Sequence, residues 1–256
     1  MILNEGNYYQ RTEYMSASQF KSFLNCEAAA LAEAEGEYNS ERSRALIQGQ
    51  YVDEYFTGSL PKFRGSHPEL FKKDGSLKST YEVCELAIER IKKSETAMEY
   101  LQGEKQVIVT GEIEGVTCKG KLDVLGPDRI VDLKCMRDIY DVKYKDGEKL
   151  DFIRYWGYDI QAYFYTELVR QQFKVNLPFY ILAVTKEVSP DIELIELPDY
   201  LINSAGEVVR HYIRRFDAIK KGEIQPKRCG RCAYCKATKV LNGPKKYEKY
   251  LEEVML

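Results

Sequence analysis

Between residues 106 and 134 the chain passes through three stretches whose side chains alternate polar and apolar at period two. They are Gln106-Val-Ile-Val-Thr110, Val116 to Leu125, and Arg129-Ile-Val-Asp-Leu-Lys134, parted by turn signals at Gly115 and at Gly126-Pro127-Asp128. Alternation at this period puts successive side chains on opposite faces of a strand, and gaps this short join neighbours antiparallel. The expectation is a three-stranded antiparallel meander. On both sides of it the apolar spacing becomes helical.

Ser16 caps a predicted helix with Phe20, Phe23 and Leu24 on one face, which runs through Cys26 into the alanine-rich stretch Ala28 to Ala34. A second helix is predicted over Ser43 to Phe56 with a stop at Gly58, and a single long one over Tyr81 to Leu101. Residues 59–79, which hold Pro61, Gly65, Pro68 and Gly75 among charged side chains, read as an exposed loop. After the meander come a helix over Tyr155 to Phe173, a buried strand over Phe179 to Val184, a strand over Ile192 to Leu197 and a helix over Asp199 to Lys221. Helix, three strands, helix, strand is the order of one mixed α/β domain.

Composition removes several classes. With 256 residues, 44% hydrophobic and 30% charged, the chain suits a globular fold. No apolar run approaches the roughly 18 residues of a membrane helix, and the N-terminal stretch lacks the layout of a secretory signal. A cytoplasmic address is therefore expected. Two histidines, His67 and His211, leave little room for histidine-based catalysis, and both read as surface residues. No Gly-x-x-x-x-Gly-Lys-Ser/Thr and no Gly-x-Ser-x-Gly occurs, so neither an ATP motor nor a serine-hydrolase elbow is supported. Charge is uneven. Residues 220–249 hold ten Lys and Arg against two acids, in a chain whose net charge is -2. A basic end on an acidic body suits contact with a polyanion, or a solvated tail.

The chemistry gathers at Asp123, Asp132 and Lys134. Asp123 lies near the end of one predicted strand and Asp132 in the next, with Gly126-Pro127 turning the chain between them. Asp132 and Lys134, at i and i+2, share a face while Leu133 points the other way. Two carboxylates held close repel, so one keeps its proton or a cation neutralises both. Mg²⁺ suits the second case, since it takes one or two carboxylates together with waters and phosphate oxygens. An ammonium alongside offsets charge on a phosphodiester. The plain alternative is a surface hairpin with a cross-strand ion pair.

These residues, in this order, resemble the PD-(D/E)xK nuclease superfamily, and within it the RecB-like and RecE-type exonucleases of phages and prophages. The likeness runs through Met15-Ser-Ala-Ser-Gln-Phe-Lys21, Gly49-Gln-Tyr-Val-Asp53, Lys121-Leu-Asp123, Val131-Asp132-Leu-Lys134 and Gln161-Ala-Tyr-Phe-Tyr165. It implies a restriction-endonuclease-like mixed sheet flanked by helices, in a single domain over 1–256. Helices over 1–58, a core over 81–221 and a basic Cys-rich segment over 222–256 would be its parts. It implies Asp123, Asp132 and the Leu133 carbonyl as ligands of Mg²⁺ or Mn²⁺, with Lys134 catalytic. Gln161 and Tyr165 would position the lysine, the water or the DNA. Asp53 stands where the family often has His and would still bind the metal. Glu104 or Glu112 is a further source of an acid. The implied activity is exonucleolytic hydrolysis of DNA, 5′ to 3′ on duplex ends, in phage or prophage recombination beside a single-strand annealing protein, with a ring-like homo-oligomer as the form expected to hold the substrate. A non-catalytic DNA-binding module is the competing reading.

Cys229, Cys232 and Cys235 place three thiols in seven residues, a spacing that wraps one metal or cluster. Cys26, Cys84, Cys118, Cys135 and His211 are candidates for the fourth ligand. The resemblance singles out Cys26, because relatives with a [4Fe-4S] cluster use one early and three late cysteines. A zinc ion or unmetallated thiols are the alternatives. Arg228, Arg231 and Lys236 around this cluster are candidate DNA contacts. Trp156 reads as rim or core packing ahead of base stacking.

Overall fold

The structure, a computed structural model, describes residues 3–39, 43–145, 147–241 and 243–255, with side chains described as far as residue 252. It is a mixed α/β fold. Strand β1 (Met15–Ser16) leads into α1 (Ala17–Asn25), whose first turn is capped by Ser16 Oγ accepting from the Gln19 amide. The helix stops at Cys26, which is extended (φ -164), and α2 (Glu27–Ala34) begins afresh. The continuous helix expected here is therefore two, and the break falls on the extended backbone of Cys26.

Helix α3 (Arg44–Phe56) starts on the Ser43 cap, and Gly58 beyond it adopts φ +79. The expected loop over 59–79 is instead folded: it holds α4 (Leu60–Ser66), a 3-10 turn over Pro68–Leu70 and a bridge from Phe71 to Leu77. Pro61 sits in the first turn of α4, where its missing N–H costs nothing. Leu60, Phe63 and Leu70 are buried, and that apolar spacing outweighs the glycines and prolines. The long helix expected over 81–101 is divided into α5 (Ser79–Lys92) and α6 (Glu95–Tyr100), because Ser94 caps a new start.

The meander forms as expected, with β2 (Glu104–Ile113), β3 (Val116–Leu125) and β4 (Ile130–Met136). A small hairpin of β5 (Lys143–Lys145) and β6 (Glu148–Leu150) and a one-turn helix α7 (Phe152–Tyr155) follow. Gly157, left-handed at φ +64, then separates α7 from α8 (Tyr158–Phe173), so the helix expected from Tyr155 starts three residues later. Strands β7 (Phe179–Thr185) and β8 (Ile192–Leu197) and helix α9 (Asp199–Lys220) match expectation, and α10 (Ala233–Ala237) and α11 (Tyr247–Met255) end the chain.

The main sheet runs β1-β3-β4-β7-β8, with β2 also paired to β3. Pairings β1–β3 and β4–β7 are parallel and the others antiparallel. β7 is buried on both faces, so its side chains divide between two cores. Phe179, Ile181 and Ala183 join α1, α8 and α9, whereas Leu182 and Val184 join α3 and α5. At the sheet edge, Gln171 and Gln172 of α8 satisfy backbone groups of β2. Gln172 Oε1 accepts from the Thr110 amide at 3.0 Å, and Gln171 both accepts from the Glu112 amide (2.9 Å) and donates to its carbonyl (2.7 Å). Such cover keeps an edge strand from recruiting another chain.

The C-terminal segment is tied to α2. The Glu27 carboxylate accepts two bonds from Arg215 (2.8 and 2.9 Å) and one from the Lys227 amide (2.7 Å), while the Ala28 amide donates to the Lys227 carbonyl at 3.1 Å. Among the described residues no helix is long and apolar enough to cross a membrane.

Phe20 is fully buried, with its ring 5.7 Å from that of Phe164 and 5.2 Å from that of Phe216. Phe20→Ala is expected to cost about 3–5 kcal/mol in chemical denaturation. A loss below about 1 kcal/mol would show that α1 is not locked to α8 and α9 by this cluster.

Candidate active site

β3 and β4 pair only through Val124–Val131 and Leu125–Ile130 and then separate. Beyond that point Asp123 takes the place of a ladder partner: its Oδ2 accepts the Leu133 amide at 2.9 Å. The fork opens because β1 occupies the same edge of β3 further back, at Cys118 and Lys119. A carboxylate is thereby fixed beside the backbone of Leu133, and the flanking Asp132 and Lys134 lie on the face toward α8.

Asp132 is 1% exposed. Its Oδ1 accepts from Gln161 Nε2 at 2.7 Å, and its Oδ2 forms an ion pair with Lys134. That pair lacks hydrogen-bond geometry, so Oδ2 is left without a hydrogen-bond donor among the described residues. The Lys134 ammonium lies 5.1 Å from the centroid of the Tyr158 ring. Asp53 arrives from α3 on the opposite side, with Gln106 Nε2 3.5 Å from its Oδ2. Asp53, Asp123, Leu133, Lys134 and Gln161 line one open cleft of about 540 Å³.

The electrostatics follow from burial. Desolvation lifts the Asp53 carboxyl to about 6 against the pull of Lys134, with Glu54 and Asp132 adding to the rise. Asp123 is pushed well above the ordinary carboxylate range, first by burial and then by Asp53 and Asp132. Burial opposes the charge of Lys134, but Asp132 and Asp123 outweigh it and hold the ammonium protonated. Two carboxyls raised by burial, Asp53 and Asp123, beside the buried Asp132 whose Oδ2 meets only the Lys134 ammonium among the described residues, are a donor set that fits a hard divalent cation.

Tyr165 is placed differently. Its hydroxyl donates to the Lys121 carbonyl at 2.9 Å, and its ring fills the space over Gly120, where an added Cβ would lie 3.0 Å from Cδ1. It seats β3 close behind the carboxylates, where burial and then Asp132 and Asp123 push its hydroxyl well above the usual tyrosine range. Glu104 and Glu112 do not line the cleft. Three neighbours were given no role by the sequence reading, although Lys121 stands inside the Lys121-Leu-Asp123 motif. Tyr158 underlies Lys134. Lys121 is two residues before Asp123 and on its face, a spacing that could have signalled it. Lys105 feels both Asp123 and Asp53, while burial lowers its pKa. It precedes Gln106, whose left-handed φ of +53 breaks the alternation, so no periodicity marks it.

Far along the chain, the Sγ atoms of Cys26, Cys229, Cys232 and Cys235 lie within 4.8 Å of one another. Cys26 and Cys235 are 3.6 Å apart, Cys229 and Cys235 3.9 Å. Backbone amides of Cys232 and Cys235 point at Cys229 Sγ (3.3 Å) and Cys232 Sγ (3.4 Å). Desolvation works against the Cys229 thiolate, but such donors prevail and lower its pKa to about 6. Cys84 and Cys118 are separate core residues, Cys135 is half-buried, and none of the three joins the cluster. Arg228 donates to the Cys235 carbonyl (3.2 Å) and to Thr238, and lies 5.4 Å from the Tyr234 ring centroid, so it clasps the thiol loop. Arg231 and Lys236 are exposed, and none of these three cations lines the cleft.

A forked mixed sheet with two aspartates and a lysine at the split defines a class, and sequence comparison agrees with it. Residues 16–238 match the model of a family described as "PDDEXK-like domain of unknown function (DUF3799)". The chain belongs to that family. Among solved structures it is similar to a protein from Eubacterium rectale described as a "Putative exonuclease", at 41% identity over 98% of both chains with a TM-score of 0.93. No curated protein matches.

If the carboxylates gather to bind a cation, Mg²⁺ will raise the melting temperature of the EDTA-treated protein by ligand linkage. Asp53→Asn is expected to melt a few degrees higher than the parent in EDTA, about 1 kcal/mol for a chain this size, and to gain less from Mg²⁺. A variant that melts lower in EDTA and responds fully to Mg²⁺ would contradict this.

Proposed function

We propose that the protein is a divalent-metal-dependent DNA exonuclease that hydrolyses phosphodiester bonds. The observation that carries this reading is the convergence of Asp53 and Asp123 on one cleft, with the buried Asp132 just behind it paired to the protonated Lys134. Asp123, Asp132 and Asp53, with the Leu133 carbonyl, would hold Mg²⁺ or Mn²⁺. Bound there, the ion supplies a Lewis acid for the phosphate and lowers the pKa of a bound water. Lys134 holds the attacking water and offsets charge that develops on the phosphate oxygens. Gln161 fixes the orientation of Asp132 through Oδ1, leaving Oδ2 to Lys134 and the cation. Tyr165 keeps the backbone of β3 at the depth that presents Asp123.

End-directed cleavage is supported by the description of the Eubacterium rectale relative. The RecE-type likeness of the motifs extends the reading to 5′-to-3′ digestion of duplex ends in phage or prophage recombination, in the cytoplasm, with a single-strand annealing protein as partner and a homo-oligomer as the working form. Arg231 and Lys236, on the basic segment, supply a second contact for the DNA backbone away from the cleft.

The four thiols form a structural metal centre in this reading. Four thiolates about one ion with bonds of about 2.3 Å lie roughly 3.8 Å apart, a spacing that the closest pairs approach. A [4Fe-4S] cluster would hold the same sulfurs further apart, since each bonds its own iron. Either group would fasten the C-terminal segment to the junction of α1 and α2, next to the Glu27–Arg215 pair. The as-isolated protein should carry stoichiometric zinc or iron, and Cys235→Ser should lose it and melt several degrees lower. Absorbance near 400 nm identifies the cluster, and a colourless zinc-loaded protein the single ion. Metal-free protein as stable as its Cys235→Ser variant would refute the centre.

Activity is tested on linear duplex DNA with Mg²⁺. The parent should release nucleotides, EDTA should stop it, and Asp132→Asn and Lys134→Ala should each slow it about 10²-fold or more. Binding without hydrolysis in the parent would reduce the protein to a DNA-binding module.

A further inference from the structure

Trp156 is the sole tryptophan of the chain, and it is 50% exposed. Packing leaves half of this residue open, yet its backbone is fixed. Its amide donates to the Phe152 carbonyl at 3.1 Å, closing α7, and its carbonyl accepts from Lys21 Nζ at 3.2 Å. Gly157 behind it is left-handed, and a Cβ there would meet Lys21 Cδ at 2.7 Å. The residues that follow belong to the site: Tyr158 underlies Lys134, and Gln161 grips Asp132. The indole also lines the same cleft as Asp53, Asp123 and Lys134.

Its neighbours are suggestive of a ligand. Tyr155 meets it edge-on at 4.9 Å and 89°. The Lys143 ammonium lies 4.7 Å from the indole centroid and 4.8 Å from that of Tyr155, with Asp141 3.5 Å away as its exposed partner. Arg137 and Lys186 line the same cleft. A flat aromatic surface next to a partly exposed cation matches the two halves of a nucleotide, base on ring and phosphate on ammonium. A base inside a duplex has both faces covered by its neighbours, so such a surface takes a base at an end, and an unpaired base offers it a full face without a partner strand in the way.

We propose that Trp156 is a base-stacking platform that takes an unpaired nucleotide in the cleft, with Lys143 turning from the aromatic rings to that nucleotide's phosphate. The substrate end would then be engaged as single strand. The position of the scissile phosphate rests on the nuclease reading above; the stacking itself does not.

A single tryptophan makes the test direct. The full-length protein is kept in EDTA, so that DNA stays intact, and its emission is followed during titration. The probes are a short single-stranded DNA, a duplex with a 5′ single-stranded overhang, and a relaxed, covalently closed circular duplex, which has neither ends nor unpaired bases. The first two should quench the emission and the closed duplex should leave it unchanged. By anisotropy of labelled single strand, Trp156→Leu should bind about ten- to a hundredfold more weakly and Trp156→Phe nearly as the parent does. Unchanged emission at saturating single strand, or parental affinity in Trp156→Leu, would overturn the platform. Equal quenching by the closed duplex would overturn the requirement for an unpaired base. A protein that quenches but never cleaves with Mg²⁺ refutes the nuclease reading alone, whereas one that cleaves without quenching refutes the platform alone.

Discussion

The hydrogen bond from the Leu133 amide to Asp123 Oδ2 decides the rest of the site. Two antiparallel strands ordinarily satisfy each other's backbone, and a fork between them would leave amides exposed in the interior. Here a side-chain carboxylate fills that need, so β3 and β4 can part after Val124 and Val131. The parting makes room for the cleft and at the same stroke fixes Asp123 next to Asp132. Burial then raises the pKa of Asp123 and of Asp53. They are held where water cannot stabilise their charge, and Lys134 alone does not neutralise Asp53, Asp123 and Asp132 together. The fold thus stores an electrostatic demand that a divalent cation would meet.

Each acid is carried by a different element, and the packing explains why they meet. α3 brings Asp53 while its Tyr51 and Val52 pack against the face of β4 that carries Leu133. α8 brings Gln161 while Phe164 and Leu168 fill the other core. Tyr165 joins the two by seating on Gly120, a position where any Cβ would crowd its ring. The C-terminal segment closes the arrangement from outside: Glu27 holds Lys227, and the thiols of Cys229, Cys232 and Cys235 gather around Cys26. The extended backbone of Cys26, which splits α1 from α2, is what lets that thiol face the later three.

Much of this was legible in the sequence. Period-two alternation located β2, β3 and β4, and the i, i+2 spacing of Asp132 and Lys134 put them on one face. The even apolar run at 179–184 gave β7. Where reading failed, a local signal was overruled. Gly65, Pro68 and Gly75 suggested an open loop, but Leu60, Phe63 and Leu70 bury themselves and fold it. Ser94 cut a helix whose apolar period continued across it. Lys105 was hidden by the left-handed turn at Gln106, and the exposure of Trp156 could not be read from its aromatic neighbours. The clustering of Cys26 with the late cysteines came from family likeness, since spacing alone left five candidates for the fourth ligand.

The central claim is that the three aspartates form a cation site beside Lys134. Crystals soaked in Mn²⁺ and measured for anomalous scattering test it most directly. The account predicts a peak bonded to oxygens of Asp123 and Asp132, with Asp53 facing it and the Lys134 ammonium alongside. A cleft without anomalous density at saturating Mn²⁺, or a peak confined to surface carboxylates elsewhere, would contradict it.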